Sequence, residues 1–124
     1  MRSRQIQQIL SFANSLKDNN IIITGDYNSL RRKDYNDDVW KRIETQEKAL
    51  NVTVVSLVTD ILESNGWKTS FEITNTISPK STVWSGRTVD HIYLSKNWSY
   101  PIFGTYVYHD PSSDHIPVIM DFQI

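Results

Sequence analysis

The feature that most restricts the fold of this chain is a run of four β-branched residues at positions 21–24, followed at once by Gly25. A continuous β-branched run is typical of a strand buried on both faces, and a glycine marks the point where the chain leaves the sheet. Asp26 and Asn28 then lie at the carboxyl end of a central strand, where open α/β sheets bind their ligands. The alternative is an ordinary strand that ends in an Asx turn.

Length and composition indicate a single domain. The chain has 124 residues, of which 39% are hydrophobic and 22% are charged. The net charge of -1 gives no overall electrostatic reason to expect nucleic acid or membrane binding. The absence of cysteine excludes a disulfide scaffold and a thiol nucleophile, and it favours an intracellular setting. No apolar run approaches the roughly 20 residues that a transmembrane helix needs.

Helices are predicted in the first half of the chain and strands in the second. Apolar residues recur at helical spacing over residues 4–16, about 38–49 and about 54–64, although the β-branched residues of 52–58 leave a strand there as the alternative. Asn36 or Asp37 is the expected N-cap of the second helix. Short β-rich runs separated by turn residues predict four further strands, at residues 82–84, 89–94, 102–108 and 117–122.

Three polar clusters lie beside the predicted strands. The first is Asp26 with Asn28, the second contains Asp90 near the start of its strand, and the third is the pair Asp114–His115 before the last strand. Together they supply three carboxylates, an amide and an imidazole. These are the groups that hydrolysis with an ordered water and a hard metal ion requires.

Several of these polar residues also have purely structural explanations. Asp90 could form an ion pair with Arg87, and Asp114 could simply hold the neighbouring imidazole. His91 is expected to be a structural residue within its strand. The basic run Arg31-Arg32-Lys33 could reach a phosphate-rich substrate, or it could be a solvated loop that is partly neutralised by nearby carboxylates. Those carboxylates would be Asp34, Asp37 and Asp38.

In order and spacing, the three clusters resemble motifs of the endonuclease/exonuclease/phosphatase superfamily, also called deoxyribonuclease-I-like. The segments concerned are residues 25–28 (Gly-Asp-Tyr-Asn), 87–95 (Arg-Thr-Val-Asp-His-Ile-Tyr-Leu-Ser) and 113–117 (Ser-Asp-His-Ile-Pro). The resemblance covers nearly the whole chain. It implies an α/β fold that is half of a four-layered sandwich, with helices packed on one face of one mixed sheet. It also implies a metal-dependent hydrolase of phosphate esters, such as a phosphodiesterase or nuclease.

The resemblance further implies a role for each site residue. His115 would lie beside the scissile phosphate, where it stabilises charge or transfers a proton, and Asp90 would orient its imidazole. Asp26 would act on the attacking water or on the leaving group, and Asn28 would donate a hydrogen bond to a phosphoryl oxygen. Asp114 would bind a divalent cation, Mg²⁺ or Mn²⁺. The substrate would be nucleic acid, an inositol phosphate or a phospholipid headgroup.

These motifs all belong to the C-terminal half of the family domain, so residues 1–124 are expected to form that half alone. Because the first half supplies further metal and phosphate ligands in the family, the metal site is expected to be incomplete and the activity weak or absent. The inner face of a lone half-sheet predicts self-association, such as a two-fold dimer, or pairing with a separate N-terminal half. The competing hypothesis is a non-catalytic α/β module used for binding or assembly.

Overall fold

The computed structural model describes residues 3–52 and 56–124, and it shows an α/β fold, as predicted. The predicted helix start at Val54 lies outside the described residues. In the described part, no helix has the length and apolar character needed to cross a membrane. The elements are α1 (Ser3–Ser15), β1 (Ile22–Asp26), α2 (Asp37–Ala49), α3 (Leu57–Ser64), β2 (Lys68–Thr69), α4 (Ser70–Ile73), β3 (Asp90–Leu94), β4 (Ile102–Val107) and β5 (Val118–Phe122).

The strands of the described residues form two antiparallel sheets instead of the expected single mixed sheet. In the larger sheet β3 lies between β1 and β2, and in the smaller sheet β4 pairs with β5. The prediction that β1 is a central strand buried on both faces is wrong, because Ile23 enters the core while Ile22 is exposed. Strand β3 is central instead, and its last four residues are all buried. A β-branched run fits a one-sided strand as well as a two-sided one.

The main core lies between the larger sheet and two helices, α1 and α3. These helices pack on one face of the sheet, as expected. Their apolar positions recur at the predicted helical spacing, and burying each large aliphatic side chain contributes about 1.5–3 kcal/mol. The buried members of this core are Ile6, Leu10, Ala13, Ile23, Tyr27, Val58, Leu62, Trp67 and Tyr93.

A second, smaller core forms where helix α2 packs beneath the loop that follows β1. Its buried members are Leu30, Ile43 and Val89, and the predicted apolar face of α2 packs against them. Helix α2 begins where its cap was predicted, since the Asn36 side chain accepts a hydrogen bond of 2.8 Å from the Val39 N–H. This second core supports the chain segment that follows β1, next to the predicted site residues Asp26 and Asn28.

Residues 82–84 do not form the predicted strand. Val83 makes a single β-bridge to His115, and the N–H groups of Thr82 and Val83 both donate to the Arg87 carbonyl, at 2.9 and 3.2 Å. These bonds close a tight loop, in which Gly86 has a φ of +83°. Glycine adopts this left-handed conformation without steric cost. We refer to residues 81–87 as the 81–87 loop.

Candidate functional site

The antiparallel register of β1 and β3 brings two predicted site carboxylates together. Asp26, the last residue of β1, is paired directly with Asp90, the first residue of β3. Directly opposed residues on an antiparallel pair project from the same face of the sheet. His115, in the loop before β5, joins them, and one ligand atom from each of the three residues lies within 4.8 Å of the others.

The imidazole of His115 is held by the carboxylate of Asp90. His115 Nδ1 lies 2.9 Å from Asp90 Oδ2 and 3.2 Å from Oδ1, so Nδ1–H donates and Nε2 remains on the opposite side of the ring. This hydrogen bond is the main reason that the pKa of His115 lies above its usual range. Partial burial opposes the rise, while the charges of Asp90, Asp26 and Asp114 add to it.

The turn after β1 fixes the position of Asp26. Gly25 has a φ of +150°, which side-chain-bearing residues rarely adopt, and Asn28 has a φ of +46°. Asp26 Oδ1 accepts a 2.7 Å hydrogen bond from the Asn28 N–H, so the Asx turn considered as an alternative is present. The turn engages one oxygen of Asp26. The buried Tyr27 anchors the turn, because its hydroxyl donates to the Ile23 carbonyl at 2.7 Å.

The carboxylates at this site repel one another. Like charges directly opposite each other on an antiparallel pair are destabilising, and Asp26 faces Asp90. The adjacent Asp114 adds a third carboxylate, so these carboxylates outnumber the one imidazole. Sites that break a local rule of stability are typically functional.

Asp114 is not a member of the three-residue cluster. It is exposed in the turn before His115, and its carbonyl accepts a 3.2 Å hydrogen bond from the Trp84 N–H. Its role as the metal ligand therefore stays a prediction. The nearby donor set is rich in carboxylate oxygens, which fits a hard cation whose remaining ligands are water or substrate.

A cleft of about 420 Å³ opens beside the cluster. Asp26, Asn28 and His115 line it together with Glu47 and Arg87. The predicted residue Asn28 thus shares a cavity with two members of the cluster. This cavity is large enough to admit a small phosphate ester.

Arg87 forms an ion pair with Glu47 of α2, not with Asp90 as the structural alternative proposed. Glu47 was missed from the sequence, although a signal was present. It follows Ile43 by four residues and therefore lies on the apolar face of α2, where a carboxylate requires a partner. The pairing leaves Asp90 available to His115.

The basic run matches its structural alternative in part, because Arg31 pairs with Asp34 and Arg32 pairs with Asp37, two of the carboxylates expected to neutralise it. Arg31 is only 5% exposed, and Arg32 and Lys33 also have carboxylate neighbours. Lys33 is exposed as expected of a solvated loop, whereas Arg31 is buried, and the run does not line the cleft. The Arg31 guanidinium forms ion pairs with Asp34, Glu63 and Glu72, and we call these four residues the Arg31 cluster.

His91 lies buried behind the site, which fits the structural role expected for it. Its Nε2–H donates to the Ser29 carbonyl at 3.2 Å, and its ring contacts that of Tyr27 with centroids 5.6 Å apart. Burial is the main cause that lowers the pKa of His91 below its usual range. The imidazole is therefore neutral near physiological pH.

The chain matched no family model, no curated protein and no solved structure. The class that the fold and site define is an α/β protein with a carboxylate–imidazole cluster beside a cleft. Any functional assignment therefore depends on the chemistry of that cluster.

Proposed function

We propose that this cluster is the catalytic part of a metal-dependent phosphoesterase that acts on phosphodiesters. The observation that carries the proposal is the Asp90–His115 hydrogen bond beside Asp26, formed by three residues that are far apart in the sequence. The same three residues belong to the motifs that resemble the endonuclease/exonuclease/phosphatase superfamily. A phosphoryl transition state needs charge stabilisation on its oxygens and an in-line nucleophile.

The role proposed for His115 follows from its bond to Asp90. With Nδ1–H donated to that carboxylate, Nε2 is the atom left for a phosphoryl oxygen or a leaving group. The raised pKa of His115 increases the fraction of imidazolium near neutral pH, and the imidazolium donates from both nitrogens. Asp90 keeps the ring oriented while the charge on the phosphate develops.

Asp26 and Asn28 have complementary roles in this proposal. One oxygen of Asp26 accepts the Asn28 N–H, and the other can take a proton from the attacking water or position it. The Asn28 carboxamide, which lines the same cleft, would donate to a phosphoryl oxygen.

Asp114 would hold Mg²⁺ or Mn²⁺, and the cation would neutralise charge on the phosphoryl oxygens. Because hard cations bind six or more oxygen ligands, this site requires further ligands from water, substrate or a second polypeptide. We therefore expect slow hydrolysis by this chain alone. A second copy or an N-terminal half is part of the same proposal, and sedimentation velocity at micromolar concentration would test self-association.

The decisive experiment is hydrolysis of bis(p-nitrophenyl) phosphate with Mg²⁺ or Mn²⁺ at high protein concentration. We expect slow, cation-dependent turnover that falls about 100-fold, the typical cost of losing one transition-state donor, in His115→Gln. His109→Gln is the matched control, because His109 is an exposed loop histidine outside the cluster. Equal rates in His115→Gln and the wild type would exclude the proposed role.

Calorimetry with Mn²⁺ tests the cation site separately, with Asp114→Asn as the variant. We expect weak binding in the wild type and at least a tenfold loss of affinity in the variant. A chain that neither binds Mn²⁺ nor hydrolyses the ester would be the non-catalytic module of the competing hypothesis.

A further inference from the structure

Thr82 connects the two sides of the Asp90–His115 pair. Its side chain is fully buried, and its hydroxyl oxygen accepts hydrogen bonds from the N–H groups of Val89 and Asp90, at 3.0 and 3.1 Å. Its carbonyl accepts a 2.7 Å hydrogen bond from the N–H of Ile116, the residue after His115. One residue therefore bonds to the backbone of Asp90 and to the backbone next to His115.

The next two residues of the 81–87 loop hold the same segment. Val83 forms its β-bridge with His115, and the Trp84 N–H donates to the Asp114 carbonyl at 3.2 Å. The Trp84 indole N–H donates to the Ser113 carbonyl at 3.0 Å. The indole is 71% exposed, so a hydrogen bond rather than burial sets its position.

The chemistry of a threonine hydroxyl suits this task. A hydroxyl oxygen has two acceptor lone pairs, and the two neighbouring amides occupy both. A hydrophobic side chain of the same shape would leave the Val89 and Asp90 N–H groups without this partner, and a buried amide that lacks a hydrogen bond destabilises the local structure. The local chain would then shift to recover hydrogen bonds, and Asp90 would shift with it.

We propose that Thr82 is a positioning residue that holds Asp90 and His115 in contact, and that the Trp84 indole assists it. Its catalytic consequence rests on the proposed phosphoesterase function, whereas its geometric consequence is independent of any activity. Displacements of about 1 Å in a catalytic group can cost up to 10²-fold in rate. Thr82 bonds to the backbone of Asp90, and Trp84 bonds to the backbone just before His115. Both therefore act on the position of the His115 imidazole.

The test uses Thr82→Val, which removes the acceptor at constant shape, and Thr82→Ser, which keeps it. Thr105→Val is the matched control, since Thr105 is a buried threonine of β4 whose hydroxyl bonds with Ser70 at 2.8 Å. The readout is the ¹H–¹⁵N NMR signal of the His115 Nδ1–H, which the bond to Asp90 protects from exchange. We expect this signal in the wild type, Thr82→Ser and Thr105→Val, and its loss in Thr82→Val.

Hydrolysis gives the second readout. Thr82→Val should lower the rate of phosphodiester hydrolysis about tenfold or more, while Thr82→Ser should stay within about twofold of the wild type. If the wild type neither binds Mn²⁺ nor hydrolyses the ester but the ring signal changes as expected, the positioning role stands and the phosphoesterase proposal fails.

Trp84→Phe is the milder variant, and it decides the matter if Thr82→Val does not fold. Because Trp84 is exposed, this substitution should leave folding intact and remove the bond to the Ser113 carbonyl. Faster exchange of the His115 Nδ1–H supports the proposal. An unchanged ring signal in every folded variant that lacks one of these bonds would overturn it.

Discussion

The Arg31 cluster and the Asp26–Asp90–His115 site both bring carboxylates close together, but they neutralise them differently. In the Arg31 cluster a permanently charged guanidinium, with five N–H donors, lies among its carboxylate partners and is almost fully buried. At the site the cationic partner is an imidazole that is partly exposed and whose charge depends on pH. The first arrangement holds the fold together. The second leaves negative charge available for a cation.

The largest expected effect comes from removing the cation of the Arg31 cluster. Arg31→Ala leaves its carboxylates without their buried partner and should lower the free energy of unfolding by about 3–5 kcal/mol. Urea unfolding measures this. Arg32→Ala is the control, because its partner Asp37 is exposed and such pairs contribute about 0–1 kcal/mol. Equal losses in the two variants would show that the buried Arg31 cluster contributes no more stability than an exposed ion pair.

Removing the charge of a single carboxylate should have an intermediate effect on the free energy of unfolding. The sign of this effect should differ between the two clusters. Asp34→Asn weakens a charge-assisted bond to Arg31 of 2.7 Å and should cost about 1–3 kcal/mol. Asp26→Asn relieves the opposition to Asp90 and should raise stability by about 0.5 kcal/mol. The asparagine can still accept the Asn28 N–H. Urea unfolding at pH 8 compares them, and a loss of stability in Asp26→Asn as large as that in Asp34→Asn would contradict this prediction.

The smallest expected effect is on the pH dependence of stability, to which His91 and His115 contribute in opposite directions. Burial lowers the pKa of His91, so the unfolded chain takes up its proton first, near pH 6.5, and stability falls as the pH drops below that value. The slope cannot exceed about 1.4 kcal/mol per pH unit for one proton. His91→Gln should flatten the decline between pH 7.5 and 5.5, as measured by urea unfolding.

His115 should act in the opposite direction. Its pKa is raised in the folded state, so its contribution is fully present below about pH 6.5 and is lost as the pH rises through the folded pKa. His115→Gln should therefore steepen the decline in stability toward acid. Parallel pH profiles for the two glutamine variants would show that the imidazoles do not differ in this way.

Local signals in the sequence predicted the parts of the fold that depend on near neighbours. Asn36 caps α2 because its side chain reaches an amide three residues away. The amphipathic helices and the last three strands lie close to their predicted bounds. Asp26, Asp90 and His115 could be grouped because each lies at or next to the end of a strand, where sheet pairing brings distant positions together.

The rest depends on contacts that no local pattern contains. Arg31 is buried because Glu63 and Glu72, which are 32 and 41 positions away, meet at one guanidinium. The β-branched residues Thr82 and Val83 suggested a strand, but their amides turn back to Arg87 within the same loop. Very short elements such as β2 and α4 have too few residues to show a period.

The β1–β3 register has a consequence for judging the quality of a preparation. A slip of one residue would move the Asp26 side chain to the other face of the sheet, away from Asp90. Such a chain would keep its helices and hence its circular dichroism spectrum, yet it would lack the carboxylate pair. A measurement of helix content would therefore not distinguish correctly paired molecules from their misregistered counterparts.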